Sequence, residues 1–457
     1  AAMLLAGDGH DVTVLERDAA PPVAEPDEAW RGWERRGVNQ FRQLHYFQPQ
    51  FRVLVERELP AVGKALDAAG ALRFNPVALA PAELTGGQRQ GDEAFEALTG
   101  RRAVVESALA GVADETEGVT VRRGVGVAGL LTGAETQSGV PHIVGARTEA
   151  GEEITADLVV DMCGRRSPLP RWLDAVGAPP CEEELEDSGF VYYGRHFRSS
   201  DGSIPPMMAP LLSHYGSVST LTLPADNGTW GVGFIACASD RDMRGLRQVE
   251  SWESAIKQFP LIAHWADGQP IADGVAVMSK IEDRIRRYVV NGTPVATGVA
   301  AVADAWACTN PSLGRGATLG LMHSLELRDL LRHTSPDDPG ALARGWDDVT
   351  QATVEPWYRA TLHYDRHRLA EADAATRGDP YEPGDVGWDM TRALQCGAMR
   401  DPDLLRGFLR ISGLLSRADE VLGEPGVVDK VVAVGADWRD EPILGPSRRE
   451  LVDLVAV

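Results

Sequence analysis

VAAVADAWACTNPSLGRGATLG, residues 299–320, is the stretch on which the fold turns. The apolar run from Val295 to Val302 reads as a short buried strand. It leads to an acid, Asp304, then to a Pro-x-x-Gly-x-Gly turn made by Pro311, Gly314 and Gly316, then to a helical run from Ala317 to Leu331. This order presents a carboxylate to a sugar hydroxyl and aims a helix N-terminus at an anion or a polarised ring edge. An ordinary strand-to-helix turn has the same outline, so the other segments must discriminate.

The chain opens on AAMLLA (1–6), the tail of a helix stopped by Gly7-Asp8-Gly9. HDVTVL (10–15) then alternates as a strand and ends in Glu16-Arg17. An acid closing the second strand of a βαβ unit is the ribose-binding acid of a dinucleotide fold. The first strand and its G-x-G-x-x-G loop belong roughly 15–20 residues upstream. The numbering thus begins inside the first helix, and the expectation is that the loop lies outside the sequence given. The alternative is a chain that binds a dinucleotide weakly or not at all, with Glu16 a surface acid.

Farther along, GVNQFRQLHYFQPQF (37–51) leads into an amphipathic run, and residues 99–113 read as a helix with Arg101 and Arg102 in its first turn. Positive charge there opposes the helix dipole, so these arginines answer an external anion or an acid, or are simply solvated. Val119 to Leu131 and His142 to Arg147 read as a strand pair. Ile154 to Val160 is another strand, running into Asp161-Met162-Cys163-Gly164-Arg165-Arg166-Ser167. From about 179 to 290 strands alternate, with one helix expected from Glu250 to Ile262, and residues 341–457 are helix-rich.

A chain of 457 residues is too long for one small core. Its net charge of −22 argues against a nucleic-acid partner, and no apolar run is long enough to span a bilayer. Five cysteines (163, 181, 237, 308 and 396), without any C-x-x-C, suit free thiols in a reducing cytoplasm. His363 and His367 lie one helical turn apart with Asp365 between them. With neither an H-E-x-x-H glutamate nor an obvious third ligand, no metal is expected.

Three segments occur here in the order found in actinobacterial FAD-dependent monooxygenases: GVNQFRQLHYF (37–47), LVVDMCGRRSPLPRWLDAVG (158–177) and VADAWACTNPSLGRG (302–316). The chain resembles the para-hydroxybenzoate hydroxylase-like superfamily and, within it, the polyether-antibiotic epoxidases and their relatives. The resemblance covers most of residues 1–335. It departs from the family pattern at Ala303, where a glycine is usual, and at Asn39, where a proline is usual.

The resemblance implies an α/β fold: a Rossmann-like FAD-binding domain of the glutathione reductase type, an inserted β-sheet substrate domain and a helical C-terminal region. The boundaries are 1–178 and 291–340 for the FAD-binding segments, 179–290 for the substrate domain and 341–457 for the helices. Position by position, it implies that Glu16, with Arg17 beside it, holds the adenosine ribose. Gln40 and Arg42 would sit by the pyrophosphate or ribityl chain, Val127 would meet the adenine through its backbone, and Asp304 would hold the ribityl hydroxyls. Pro311, Gly314, Arg315 and Gly316 would line the flavin edge, with Tyr193, Arg195, Trp306 and Asn310 toward the substrate.

The implied reaction is insertion of one oxygen atom from O2, through a flavin C4a-hydroperoxide, into a hydrophobic secondary metabolite, by aromatic hydroxylation or alkene epoxidation. Electrons would come from NAD(P)H, directly or through a flavin reductase, and no acid–base triad is needed. Alternatives are a flavin-dependent dehydrogenase or reductase on the same fold and a non-catalytic ligand-binding relative. A flavin halogenase fits less well, because TWGVGF (229–234) lacks that family's second tryptophan and following Ile-Pro.

Overall fold

In the computed structural model, residues 1–38, 40–335 and 337–456 are described; Asn39 lies outside them. Two parallel strand pairs frame the molecule. Val12–Glu16 pairs with Val119–Arg123, and Val159–Asp161 pairs with Val299–Ala301. Parallel partners need long crossovers. The first runs through the Pro49–Glu58 and Arg102–Glu115 helices, and the second through the whole β-rich stretch between 182 and 290.

That stretch folds into a six-stranded antiparallel sheet, with Leu212–Tyr215, Val218–Pro224, Thr229–Cys237, Phe190–Arg198 and Gln269–Pro270 side by side and Ala276–Met278 also pairing on Phe190–Arg198. Alternate residues of a strand point to opposite faces. One face carries Tyr193, Phe197, Trp230, Val232 and Phe234 onto Trp252, Phe259 and Trp265, forming a dense aromatic core. The other carries Phe190, Tyr192, Leu221, Leu223 and Ile235 toward Leu44, Tyr46 and Met278.

Several elements depart from their sequence outlines for physical reasons. The strand expected to run from Val119 to Leu131 breaks at Gly124, whose φ of +73° turns the chain. Val119–Arg123 then joins Val12–Glu16, while Val127–Thr132 pairs with Ile143–Thr148. The expected strand from Ile154 to Val160 divides into Glu153–Thr155 and Val159–Asp161, which serve different sheets. The helix expected through Ile262 stops at Ile256, four residues before Pro260, which cannot extend it. The helix expected over 99–113 begins at Arg102, because Thr99 pairs with Leu72 and the Arg101 N–H donates to Asp226 Oδ1 at 2.6 Å.

The C-terminal helices close over the sheet. Glu355–Arg377 is riveted to the acidic strand Glu182–Asp187 by Arg359 on Glu184 and Arg366 on Glu186. Val386–Ala398, Pro402–Ser412 and Val427–Gly435 follow. The last helix, Arg448–Val455, buries Leu451 and Val455 in the aromatic core under the sheet, and Arg448 donates to both oxygens of Asp240 at 2.7 and 2.9 Å. No helix among the described residues is long and apolar enough to cross a membrane.

Candidate functional site

A cavity of about 2100 Å³ runs between the 299–333 segment, the Leu44-bearing face of the sheet and the C-terminal helices. The glycine turn forms one wall. Strand Val299–Ala301 ends with the Val302 N–H donating to Asp161 O at 3.0 Å, and Ala303 then takes a left-handed φ of +55°. That conformation explains the glycine of the family pattern, since a Cβ is costly there. Two neighbours accommodate Ala303. Its N–H donates to His323 Nδ1 at 3.0 Å, and Gly320 leaves space where a Cβ would come 3.2 Å from the Ala303 Cβ. Burial pushes the His323 ring down to about 3, so the ring is neutral, and its Nε2 lies 3.0 Å from Thr350 Oγ1.

Asp304 opens onto the cavity. Its carboxyl is raised above the ordinary range by burial within the protein, opposed by the positive charges of Arg102 and Arg165. Pro311 starts a turn closed by the Gly314 N–H on Pro311 O at 2.9 Å, with Gly314 at φ +63°. The 18-residue helix Gly316–His333 begins there without a side-chain cap, leaving its first N–H groups open to the cavity side. A Cβ at Gly316 would meet nothing within 4 Å, so the approach to that helix end is clear. An acid, a tight glycine turn and an uncapped helix start together fit a flavin's ribityl hydroxyls and its electron-rich ring edge.

The cavity brings together Gln40, Asp304, Trp306, Pro311, Gly314, Arg315 and Gly316. Arg315 is buried, donates from Nη1 to Thr361 Oγ1 at 2.9 Å and stacks over Trp357. The other expected site residues lie elsewhere. Glu16 accepts from Arg35 Nη2 at 2.7 Å and from the Asp18 N–H at 2.8 Å, and Arg17 is exposed beside Gly37. Arg42 donates to Trp30 O at 2.7 Å and Trp33 O at 3.0 Å, bracing a loop instead of reaching the cavity. Val127 packs with Leu130 and Trp172.

Tyr193 and Arg195 require a correction of face. Tyr193 belongs to the aromatic core, and Arg195 donates to Glu253 at 2.5 Å and stacks over Phe197 and Trp252. Their neighbour Tyr192 faces the cavity, and its OH donates to Asn310 Oδ1 at 2.7 Å. Asn310 therefore stands behind the wall, its N–H donating to Asp283 Oδ1 at 2.6 Å. A signal for this parity was present in the sequence: a Cβ at Gly194, Gly231 or Gly233 would crowd Leu44, and glycines at alternate positions mark the face of close approach.

Sequence reasoning also missed Asp365, which reaches from the Glu355–Arg377 helix to accept from Ser312 Oγ at 2.7 Å beside the turn. Burial pushes Asp365 up to about 7 and Asp283 up to about 6. The two first-turn arginines separate. Arg101 is buried and held by Asp226 and Asp27, whereas Arg102 pairs with Glu106 at 2.5 Å and lines the cavity.

No protein-family model matches the chain. In sequence it is 28% identical over 292 residues to Protein Rv3254 of Mycobacterium tuberculosis, a stretch covering 63% of this chain and 60% of that protein. In structure it is similar to PqsL, a probable FAD-dependent monooxygenase from Pseudomonas aeruginosa, with a TM-score of 0.58, 15% identity and coverage of 82% of this chain and 93% of that one. It is also similar to OxyS anhydrotetracycline hydroxylase from Streptomyces rimosus, with a TM-score of 0.53, 16% identity and coverage of 91% and 73%. The chain thus shares the mixed α/β fold of FAD-dependent monooxygenases.

Proposed function

We propose that the protein is an FAD-dependent monooxygenase that inserts one oxygen atom into a hydrophobic, aromatic or alkene-bearing small molecule. The observation that carries this reading is the continuous cavity of about 2100 Å³ joining the acid–glycine turn to an apolar sheet face. One small-molecule site takes roughly 300–1,000 Å³, so this space suits a cofactor and a second ligand together. That OxyS is an anhydrotetracycline hydroxylase supports a hydroxylation, and the resemblance of residues 302–316 to polyether epoxidases supports an alkene as the alternative acceptor.

A flavin bound here would supply oxygen activation, with electrons from NAD(P)H or a reductase. The chain's own residues do the rest. Asp304 would accept from ribityl hydroxyls, and the uncapped N–H groups at Gly316 would offer donors to negative charge on the bound ring. Gln40 contributes a neutral polar contact, and Glu16 is assigned to the ribose, in competition with Arg35. Tyr192, Leu221, Leu223 and Met278 make the substrate wall and keep water out of it. We assign residues 1–178 and 291–340 to the cofactor and 179–290 to the substrate. Five free thiols suit a cytoplasmic setting.

The test is an absorbance spectrum of the purified chain after incubation with FAD and removal of the unbound cofactor by gel filtration, followed by oxygen uptake with NADH or NADPH. Flavin bands near roughly 370 and 450 nm, together with substrate-dependent oxygen consumption, are expected. A preparation that stays colourless with FAD sinks the reading, and flavin reduction coupled to substrate turnover without oxygen uptake moves it to a dehydrogenase.

A further inference from the structure

On the cavity rim, the Glu355–Arg377 helix carries His363 and His367 at an (i, i+4) spacing that puts both rings on one face. Their ring centroids are 4.5 Å apart. Opposite them stands Asp385, the N-cap of the Val386–Ala398 helix. His363 Nε2 is 3.7 Å from Asp385 Oδ1, and His367 Nε2 is 3.7 Å from Asp385 Oδ2. At 3.7 Å these are too long for hydrogen bonds. One ligand atom from each of the three residues lies within 4.8 Å of the others.

We propose that His363, His367 and Asp385 form a binding site for a divalent transition metal, zinc by preference, that clasps these two helices together at the cavity rim. A tetrahedral zinc ion with bonds of about 2.0–2.2 Å holds its ligand atoms about 3.3–3.6 Å apart. The two 3.7 Å contacts are to different oxygens of Asp385 and the three donor atoms lie within 4.8 Å of one another, so reaching that spacing takes rotation of the exposed His363 ring and a shift of the Asp385 carboxylate. Two imidazoles and one carboxylate favour zinc, cobalt or nickel over calcium or magnesium.

Independent support comes from the groups behind the donors. His367 Nδ1 lies 2.9 Å from the Tyr381 hydroxyl, and its ring is stacked on Trp388 at 5.1 Å and 11°. The far ring nitrogen is thereby held and Nε2 is left facing Asp385, the arrangement that orients ligating histidines. Asp385 is fixed in turn by the Trp388 N–H, which donates to Oδ1 at 2.7 Å. Asp365, between the histidines in sequence, faces Ser312 and takes no part. Three protein donors leave a fourth position for water, and His363, Tyr381 and Trp388 place it at the cavity.

The test uses the full chain after treatment with a chelator and its removal. It is titrated with zinc chloride by calorimetry and with cobalt chloride by visible spectroscopy. One-to-one binding and the d–d bands of a four- or five-coordinate cobalt ion are expected. Asp385→Asn keeps an acceptor for the Trp388 N–H but loses the anionic ligand, and His363→Ala alters an exposed ring. Each should weaken zinc about 100-fold, and Tyr381→Phe about tenfold, following ligand and outer-sphere losses in known sites. Absence of one-to-one binding by the unmodified chain overturns the proposal, as does equal affinity in Asp385→Asn and His363→Ala. Neither readout involves a flavin, so the outcome is independent of the monooxygenase reading.

Discussion

Replacing Asp226 with alanine should destabilise the protein by about 3 kcal/mol, because it strands a buried cation. Arg101 and Asp226 have side-chain exposures of 1% and 0%. Asp226 accepts the Arg101 N–H at 2.6 Å, Nε at 3.1 Å and Nη2 at 2.7 Å, tying the start of the Arg102–Glu115 helix to the hairpin between Val218–Pro224 and Thr229–Cys237. Removing one partner of a buried pair costs about 3–5 kcal/mol. The lower end applies because Arg101 keeps Asp27 at 3.1 Å, on a carboxylate only partly buried. Asp226→Asn should cost about 2 kcal/mol, having lost only charge-assisted bonding. The double variant Arg101→Met/Asp226→Leu should recover at least half of the single-variant loss, since an apolar pair leaves no orphaned ion. Urea unfolding followed by tryptophan fluorescence, with eleven tryptophans to report, measures all three. An Asp226→Ala loss under about 1 kcal/mol, or a double variant no better than the single, would refute the argument.

Asp304→Ala should weaken FAD about 10- to 100-fold in a fluorescence titration, the worth of charge-assisted hydrogen bonds to ribityl hydroxyls; unchanged affinity would remove Asp304 from the cofactor site. Asp365 is raised to about 7 by burial, so the native state holds its proton more tightly than the unfolded chain does. Its contribution to stability is full below about pH 4 and is lost as pH rises through 7. Asp365→Asn should therefore gain about 1 kcal/mol or more on the native chain between pH 5 and pH 8 by thermal denaturation, and parallel pH profiles would contradict this. Ala303→Gly should raise stability by about 0.5 kcal/mol, relief of the left-handed Cβ outweighing the added freedom of the unfolded chain. A loss above about 1 kcal/mol would show instead that the Ala303 methyl group is needed for packing.

What the sequence made legible was local. The strand, acid, glycine turn and helix of 299–333 follow from residue chemistry within one short window, and the helix observed at Gly316–His333 differs from its outline by one residue at the start and two at the end. Facing direction was harder. Tyr192 and Tyr193 differ along the strand only in that Gly194 shares the parity of Tyr192, and it takes Leu44, packed against Gly194 and Gly231, to show that the glycine face is the cavity side. Long-range pairings were hardest. Arg101 finds Asp226 across 125 residues, and Asp365 finds Ser312 across 53. The histidine pair was visible as a helical repeat, while the carboxylate opposite it comes from a different helix.

The C-terminal helices have a mechanical consequence. Arg359 and Arg366 hold the Glu355–Arg377 helix to the acidic strand Glu182–Asp187 of a separate three-stranded sheet at one end, and Leu451, Val455 and Arg448 sink the final helix beneath the six-stranded sheet at the other. The intervening chain crosses the cavity like a bridge deck with a third pier at mid-span, where Arg406 donates to Asp92 Oδ1 at 2.8 Å and Oδ2 at 2.7 Å and to Thr85 O at 2.7 Å. A deck held at three points yields only between its piers, so a molecule entering the chamber passes through one of the two bays. In hydrogen exchange, amides of the more exposed Val427–Gly435 helix should open before those of the anchored Pro402–Ser412 helix.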